Sequence, residues 1–474
     1  MIDTQAIRSK MLYFALRGQL TNQNPLEDSG SSLIENNNRI ISAYSDDIKK
    51  RVGKGCKPIK PEDCLFEVPK TWCWERFGNL VINFDSLRRP VTKSDRKRLL
   101  GQYDYYGATG AIDRVDDYIF DGEYLMIGED GGNFFVSRDN SFIARGRFWA
   151  NNHVHVVQPI ICDIVYLKRC LDAYDLPKMG LVYGIGAPKL NQENMNSIPI
   201  PVPPLAEQQR IVARIEQAFS VLDTIDTLQA QYADNLTVLK SKLIDASIQG
   251  KLTEQLPEDG TAEELYQHIQ SEKQSLIKAG KIKKEKPLPE ILDDDVPFTI
   301  PSNWKWVRTG DIFSVGTGMT PLTSEKRFYE NGRIPWVTSS LTSNRYIKDT
   351  TTYLSEYALE ATSLRLHPEH TLVIAMYGEG KTRGQISELL IPATTNQACA
   401  TLDNIVYNQA TVDYIFFFFT HNYVQLRSQA GGSNQPNLNL NKIKETLIPL
   451  PPLAEQKRIV ERITELLAVC GELK

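Results

Sequence analysis

The chain has 474 residues, more than one ordinary domain holds, and roughly 150 residues per domain suggests about three. Hydrophobic residues at 41% and charged residues at 24% exclude a wholly disordered chain. Lys plus Arg (54) against Asp plus Glu (58) gives a net charge of −4, which excludes a histone-like polycation and confines any nucleic-acid contact to local basic patches.

In chain order, the first twenty residues carry Arg8, Lys10 and Arg17 among their apolar positions, so no apolar core of signal type is expected there. Ile7, Met11 and Phe14 instead mark one face of a helix within residues 1–21. Residues 22–60 are polar and rich in Asn, Ser and Gly, and read as a linker. The motif Phe66-x-x-Pro69-x-x-Trp72-x-Trp74 opens a globular domain over 61–204. Within it Arg88, Arg89, Lys93, Arg96, Lys97 and Arg98 face a single acid, Asp95, with Tyr105, Tyr106 and Thr109 close behind. Cations neutralise phosphates while aromatic and polar side chains reach bases, so these residues are candidate DNA contacts.

Pro203 to Gln208 (PPLAEQ) then introduces a long helix over 205–253. In a 4-3 register its seam is Ile211, Ile215, Ala218, Leu222, Ile225, Gln229, Tyr232, Leu236, Leu239, Leu243 and Ala246, with only Gln229 polar. Five sustained heptads are a coiled-coil signal, and Gly250 is placed to end the helix. At 1.5 Å per residue this seam runs about 53 Å. Residues 254–292 form a second polar linker with a short helix near 261–279 and a Lys-rich run.

A second domain over 293–452 offers Thr338, Ser339, Ser340, Lys381, Arg383, Asn396, Gln397, Ser433, Asn434 and Gln435 as groups able to read base edges. The apolar run Tyr414 to Phe419 is far short of a membrane span of about 20 residues and reads as a buried strand or helix. A final helix over 453–474 carries Ile459, Ile463 and Leu466 on its seam.

No catalytic signature emerges. The stretch from Thr371 to Thr382 imitates a phosphate loop, but Ala375 stands where the first glycine of a Walker A motif is needed, and no helix is expected to follow. Seven scattered cysteines without a Cys-x-x-Cys pair fit reduced thiols in cytoplasm, and His153-x-His155 and the His367/His370 pair do not suggest a metal site.

The chain also repeats itself. Residues 8–21 match 240–253 at an offset of 232, and the same offset carries Phe66, Pro69, Trp72, Trp74 and Arg76 onto Phe298, Pro301, Trp304, Trp306 and Arg308. The two PPLAEQ blocks stand 248 apart. Inside these anchors the echoes are weak: Asn152 to His155 pairs with Asn396 to Cys399, and Pro188 to Asn191 with Pro436 to Asn439. The expected fold class is therefore α+β. Two mixed α/β domains of one fold are separated by long antiparallel coiled-coil helices, in a circularly permuted repeat with pseudo-twofold symmetry. The central helix is whole, its twin is divided between the chain ends, and the termini are expected close together.

These residues resemble the specificity subunit of type I restriction–modification systems. The resemblance rests on both PPLAEQ openings, both Pro-x-x-Trp-x-Trp motifs, Tyr105 to Gly110, Gly128 to Gly131, Ile334 to Val337, Gly378 to Thr382 and Thr395-Asn396-Gln397. It implies two target-recognition domains that each read half of an interrupted double-stranded DNA site. It further implies helices that dock two methyltransferase subunits, with restriction subunits joining for cleavage. The chain itself would be non-catalytic and hold no cofactor or metal, while S-adenosylmethionine, ATP and magnesium belong to the partner subunits. The competing readings are a coiled-coil scaffold without DNA readout, or an ATP-binding or methyltransferase enzyme.

Overall fold

A computed structural model describes residues 1–96, 101–132, 134, 141–184, 188–377, 382–422 and 438–472. It divides into two units, Met1–Ala230 and Gln231–Lys474.

Unit 1 opens with α1 (Thr4–Leu16), capped by the Asp3 carboxylate on the Ala6 amide at 2.9 Å. The polar stretch that follows is no bare linker: it folds as α2 (Gly30–Ala43), capped by Ser29, and α3 (Asp46–Lys49). Gly30 is required where it stands, because a Cβ there would lie 2.0 Å from the Val202 carbonyl oxygen. Strand β1 (Cys73–Arg76) leads through α4 (Phe77–Leu80) into β2 (Val81–Asn83), and α5 (Lys93–Arg96) precedes β3 (Tyr103–Gly107) and β4 (Gly110–Val115). Then come β5 (Phe120–Gly128), β6 (Ser141–Ala150), β7 (Val154–Pro159), α6 (Ile164–Ala173), α7 (Gln192–Ser197) and β8 (Pro199–Val202). A six-stranded sheet has the order β2-β7-β5-β6-β3-β4, and β1 pairs antiparallel with β8 beside it.

Helix α8 (Leu205–Ile248) is continuous over 44 residues. In unit 1, Ile211, Ile215, Phe219 and Leu222 are buried on the core of the recognition domain. Helix α1 lies antiparallel to this half: Ile2 N–H donates to Gln229 Oε1 at 2.5 Å, Thr4 Oγ1 to Asp226 at 2.6 Å, and Arg8 pairs with Asp223 at 2.8 Å.

In unit 2, α9 (Ala262–Lys278) follows a Thr261–Glu264 capping box. Strand β9 (Lys305–Arg308), α10 (Thr309–Ile312), β10 (Phe313–Thr317), β11 (Ile334–Val337), β12 (Tyr346–Ile347), β13 (Tyr353–Leu354) and α11 (Glu356–Ala361) come next. They are succeeded by β14 (Leu372–Ala375), β15 (Ile386–Leu389), β16 (Thr394–Thr395), β17 (Cys399–Asn404) and α12 (Gln409–His421), which contains the Tyr414 to Phe419 run as a buried helix. A short helix Leu440–Glu445, β18 (Leu447–Leu450) and the C-terminal helix Leu453–Glu472 complete the unit. Residues 382–385 turn into strand β15, so no helix follows the phosphate-loop imitation; Gly378, Glu379, Gly380 and Lys381 lie outside the described residues.

The two sheets share more than the sequence suggests. The order β2-β7-β5-β6 reappears as β10-β17-β14-β15, every neighbour antiparallel in both. Beyond this frame they diverge: β6 is one ten-residue strand, whereas β15 and β16 divide its role between the main sheet and a three-stranded sheet β13-β11-β16. The strand register aligns Asn151 with Asn396, one residue from the Asn152 match expected from sequence.

The expected helix seam needs one correction. Ile211, Ile215, Leu222, Ile459 and Ile463 are buried and Ile225 and Leu466 half-buried, but towards the end of α8 the buried residues are Ile244, Ser247 and Ile248, with Leu243 half-buried and Leu239 exposed. Leu236 is half-buried too. In α1 the inward residues are Thr4, Leu12, Ala15 and Leu16, leaving Met11 and Phe14 on the flank and Ile7 exposed. A helix of 3.6 residues per turn drifts about 20° per heptad from a 3.5 repeat. Over five heptads that amounts to one residue, which is the slip observed.

All seven cysteines are free, and burial pushes the Cys73 thiol up to about 11 and those of Cys162 and Cys399 to about 12.

Candidate nucleic-acid interface and helix anchors

Each PPLAEQ block seats a buried glutamate under a tryptophan. Glu207 Oε2 accepts from Trp72 Nε1 at 2.9 Å, while its other oxygen accepts from Thr21 Oγ1 at 3.1 Å and Gln23 Nε2 at 3.0 Å. Glu455 makes the same set with Trp304 at 2.8 Å, Thr253 at 2.9 Å and Gln255 at 2.8 Å. A buried carboxylate is tolerated because three donors replace its water. The neighbouring glutamines also match: Gln208 Nε2 donates to the Pro203 carbonyl at 3.0 Å and Gln456 Nε2 to that of Pro451 at 2.9 Å. Tyr166 and Tyr414 hydroxyls donate to the Pro201 and Pro449 carbonyls at 2.7 and 2.6 Å. Gly18 and Gly250, at φ +65° and +70°, turn the chain so closely onto Pro69 and Pro301 that a Cβ would clash at 2.4 and 2.7 Å.

Each unit also contains a pair of adjacent parallel strands whose carboxyl ends lie side by side. In unit 1, β3 and β6 are parallel, with Tyr106 opposite Ala150. Beyond their ends lie the turn Ala108–Thr109, with Thr109 exposed, and the pair Asn151–Asn152, where the Asn151 amide donates to the Tyr106 carbonyl at 3.1 Å. In unit 2, β11 and β16 are parallel, with Val337 opposite Thr395, and the Asn396 amide donates to the Val337 carbonyl at 3.0 Å. Thr338, Ser339, Ser340, Asn396 and Gln397 therefore meet at one strand-end surface, where Thr338 and Ser340 hydroxyls are 2.8 Å apart and Thr320 donates to the Gln397 amide oxygen. Crevices outside the carboxyl ends of parallel strands are common ligand sites.

The structure separates the basic candidates of unit 1. Arg89 and Lys93 are exposed. Arg96 is half-buried, paired with Asp113 at 2.8 Å and placed 4.6 Å over the Tyr105 ring. Tyr105 itself is buried and its hydroxyl accepts from the Val91 amide at 2.9 Å, so it cannot stack on a base. Tyr106 is half-buried between Phe142 and Phe148. Arg88 is an interior cation: it pairs with Glu129 at 2.7 Å and donates to the Val154 carbonyl at 2.8 Å. Arg383 is half-buried in unit 2. Lys97, Arg98, Lys381, Ser433, Asn434 and Gln435 lie outside the described residues.

Arg88 belongs to a network centred on His155. The imidazole is buried, with Nδ1 2.6 Å from Asp85 Oδ2 and Nε2 2.8 Å from the Leu190 carbonyl. Both partners are acceptors, so the ring is held as an imidazolium. Burial works against that charge, yet the Asp85 hydrogen bond and charge, aided by the Leu190 carbonyl, raise the His155 pKa overall. Burial likewise opposes ionisation of Asp85 and is the largest single effect, but the His155 hydrogen bond and charge, the Arg88 charge and the Val156 amide together outweigh it and lower the pKa. Asp85, Glu129 and His155 bring donor atoms within 4.8 Å of one another, a grouping the sequence did not suggest. Arg88 and Lys189 already neutralise the carboxylates, and both imidazole nitrogens are engaged, so this geometry fits an ionic brace better than a metal cage.

The comparisons with known proteins follow this two-fold plan. The type I restriction modification DNA specificity domain family matches twice, over residues 81–231 and 301–474. The chain belongs to this family. Among similar proteins, the type I restriction enzyme EcoAI specificity subunit of Escherichia coli is 25% identical over 547 residues, covering 99% of this chain and 90% of that one. The EcoEI specificity subunit of the same organism is 24% identical over 543 residues with the same coverage. A solved chain described under complex assembly and conformational transition of the type I restriction–modification system matches 86% of this chain and 93% of its own, with a TM-score of 0.54 and 16% identity, and so shares the fold.

Within this specificity-family chain, sequence reasoning missed Asn152 and Thr320 at the strand ends. The repeat held the signal for Asn152, since the Asn-Asn pair before β7 and Asn396-Gln397 before β17 stand at equivalent places. Thr320 carried none, because its contact with Gln397 spans 77 residues of sequence. Among the described residues no helix is long and apolar enough to cross a membrane.

Proposed function

We propose that the chain reads an interrupted, asymmetric DNA sequence, unit 1 taking one half-site and unit 2 the other. The observation that carries this reading is the contrast within the repeat: matched buried anchors accompany strand ends built differently, a continuous β6 beside β3 in unit 1 and the divided β15 and β16, with β16 beside β11, in unit 2. Asn152 and Thr109 are exposed at the strand ends of unit 1, and Thr338, Ser340, Asn396 and Gln397 lie at those of unit 2, with Arg89 and Lys93 supplying phosphate contacts beside the first. Amide and hydroxyl groups of this kind read base edges, and cations position the backbone.

The helices dock two methyltransferase subunits, and restriction subunits complete the complex. An exposed apolar stripe on α8 supports docking: Val221 and Leu228 stand seven residues apart, as do Tyr232 and Leu239, all four exposed and away from the buried face. In this reading the chain is a non-catalytic cytoplasmic subunit, while S-adenosylmethionine, ATP and magnesium serve the partner subunits.

Co-expression with the methyltransferase subunits, followed by mapping of modified adenines, tests the proposal. One bipartite motif is expected, and exchanging residues 75–202 for those of another specificity chain should change one half only. An unchanged motif after the exchange would remove domain-wise readout. Equal binding of motif and random duplexes by the complex would favour a scaffold.

A further inference from the structure

Each unit carries a basic strap between its first small helix and its tryptophan anchor. In unit 1 the strap follows α2 and holds Lys49, Lys50, Arg51, Lys54, Lys57 and Lys60 within residues 49–60, with no acid among them. In unit 2 it follows α9 and holds Lys278, Lys281, Lys283, Lys284 and Lys286 against Glu285 alone. The flanking landmarks coincide at the repeat offset: α2 and α9 begin 232 residues apart, and so do Asp63 and Asp295, which face Arg76 and Arg308. Little sequence is shared inside the straps, yet the charge is.

The unit 1 strap has a backbone tied to its domain, and the unit 2 strap is tethered at the Glu285 side chain and just beyond its end at Pro289. In unit 1, Gly53 N–H donates to the Gly78 carbonyl at 2.9 Å, Asn196 Nδ2 to that of Lys54 at 2.9 Å and Arg76 Nε to that of Lys57 at 3.3 Å. In unit 2, Lys444 binds Glu285 at 2.6 Å, which removes the one acid from the strap, and Arg308 Nε donates to the Pro289 carbonyl at 2.9 Å. The cations are displayed outward: Lys50, Lys54, Lys57, Lys281, Lys283 and Lys284 are exposed and have no ion pair among the described residues. The unit 1 strap also touches the reader, since its Arg51 carbonyl accepts from the Asn83 amide at 3.0 Å and its guanidinium lies 5.8 Å over Phe84, a few residues before Arg89.

We propose that these straps are a second, sequence-independent DNA surface, one in each unit, that holds duplex phosphates apart from the base-reading strand ends. A row of exposed ammonium groups, without ion pairs among the described residues, in an otherwise acidic chain fits a polyanion, and its presence in both units fits contact with duplex DNA by each. The inference rests on the DNA-reading proposal and adds a contact to it.

The test uses the full chain assembled with its methyltransferase subunits, and triple variants at Lys50, Lys54 and Lys57 or at Lys281, Lys283 and Lys284, each Lys→Gln. Affinity for the motif duplex and for a scrambled duplex is measured from about 50 to 300 mM salt. Each triple should weaken both affinities alike, about 5- to 50-fold at low salt, and flatten the log affinity against log salt slope by about two, given roughly 0.9 per phosphate contact. The methylated motif should be unchanged, and Lys→Arg triples should bind as the parent does. An unaltered slope overturns the proposal. So does loss of methyltransferase assembly by a folded variant, which would make the straps a protein-docking surface. Should a triple fail to fold, single Lys→Gln changes are read instead, each expected to lower the slope by somewhat under one. A parent complex that binds both duplexes equally would sink the recognition reading and leave the strap slopes readable.

Discussion

The pocket around Glu207 and the pocket around Glu455 are the same object built twice, whereas the strand ends they support are not. Trp72, Thr21 and Gln23 converge on the first carboxylate as Trp304, Thr253 and Gln255 do on the second. The sheets keep a common four-strand frame and then part, a continuous β6 in one unit against the divided β15 and β16 in the other. Buried polar groups explain the difference. An anchor that withdraws a carboxylate from water leaves no alternative partners, so each donor is fixed; a solvent-facing strand end carries no such constraint and is free to change what it reads.

The largest effects that would break this comparison are at the tryptophans. Trp72→Ala and Trp304→Ala should each cost about 3–5 kcal/mol, and chemical denaturation should find the two losses alike; a loss confined to one would end the equivalence. Replacing the carboxylates, Glu207→Ala and Glu455→Ala, strands three donors in each case and should cost about 2–3 kcal/mol, read from the same curves. At the reading surface the symmetry should fail. Asn396→Ala should relax base preference in one half of the methylated motif by about 1–3 kcal/mol, whereas Tyr105→Phe should leave the motif intact because the ring is buried.

The ionic brace at His155 belongs to unit 1 and gives a pH signature. With its pKa raised, His155 contributes stability that is present at low pH and is lost as pH rises through the folded value. Asp85, lowered, contributes stability that is lost as pH falls through its own folded value. His155→Gln should therefore abolish the alkaline loss in unit 1, and thermal melts across pH would show it; an unchanged alkaline flank counts against the imidazolium. The smallest expected pair is Asn191→Ala and Asn439→Ala. Each removes an amide-accepting cap, at 2.7 Å from Asn194 N and 2.9 Å from Lys442 N, and each should cost about 1 kcal/mol in thermal melts.

Much of this was legible in the sequence. The PPLAEQ blocks, the tryptophan motifs and their offsets announced the repeat, because buried polar sockets admit few substitutions. Charge misled at Arg88 and Tyr105, since a basic-aromatic cluster reads the same whether it faces solvent or an interior carboxylate such as Glu129. Residues 22–60 read as linker because their Asn, Ser and Gly content masks the apolar positions Leu33, Ile34, Ile40 and Ile41, which α2 only half-buries. The common sheet frame stayed hidden because strand pairing constrains backbone register and says little about side-chain identity.

Helix α8 gives Ile211, Ile215 and Leu222 to one core and Ile244 and Ile248 to the other without a break between them. Melting either half then leaves the other with a new helix end whose backbone groups have lost their partners, so the two halves share one hydrogen-bond ladder. A lesion in one reader should lower the protection of amides in both, and severing the chain at its midpoint would deprive each fragment of the cooperative length that keeps its share of the rod wound.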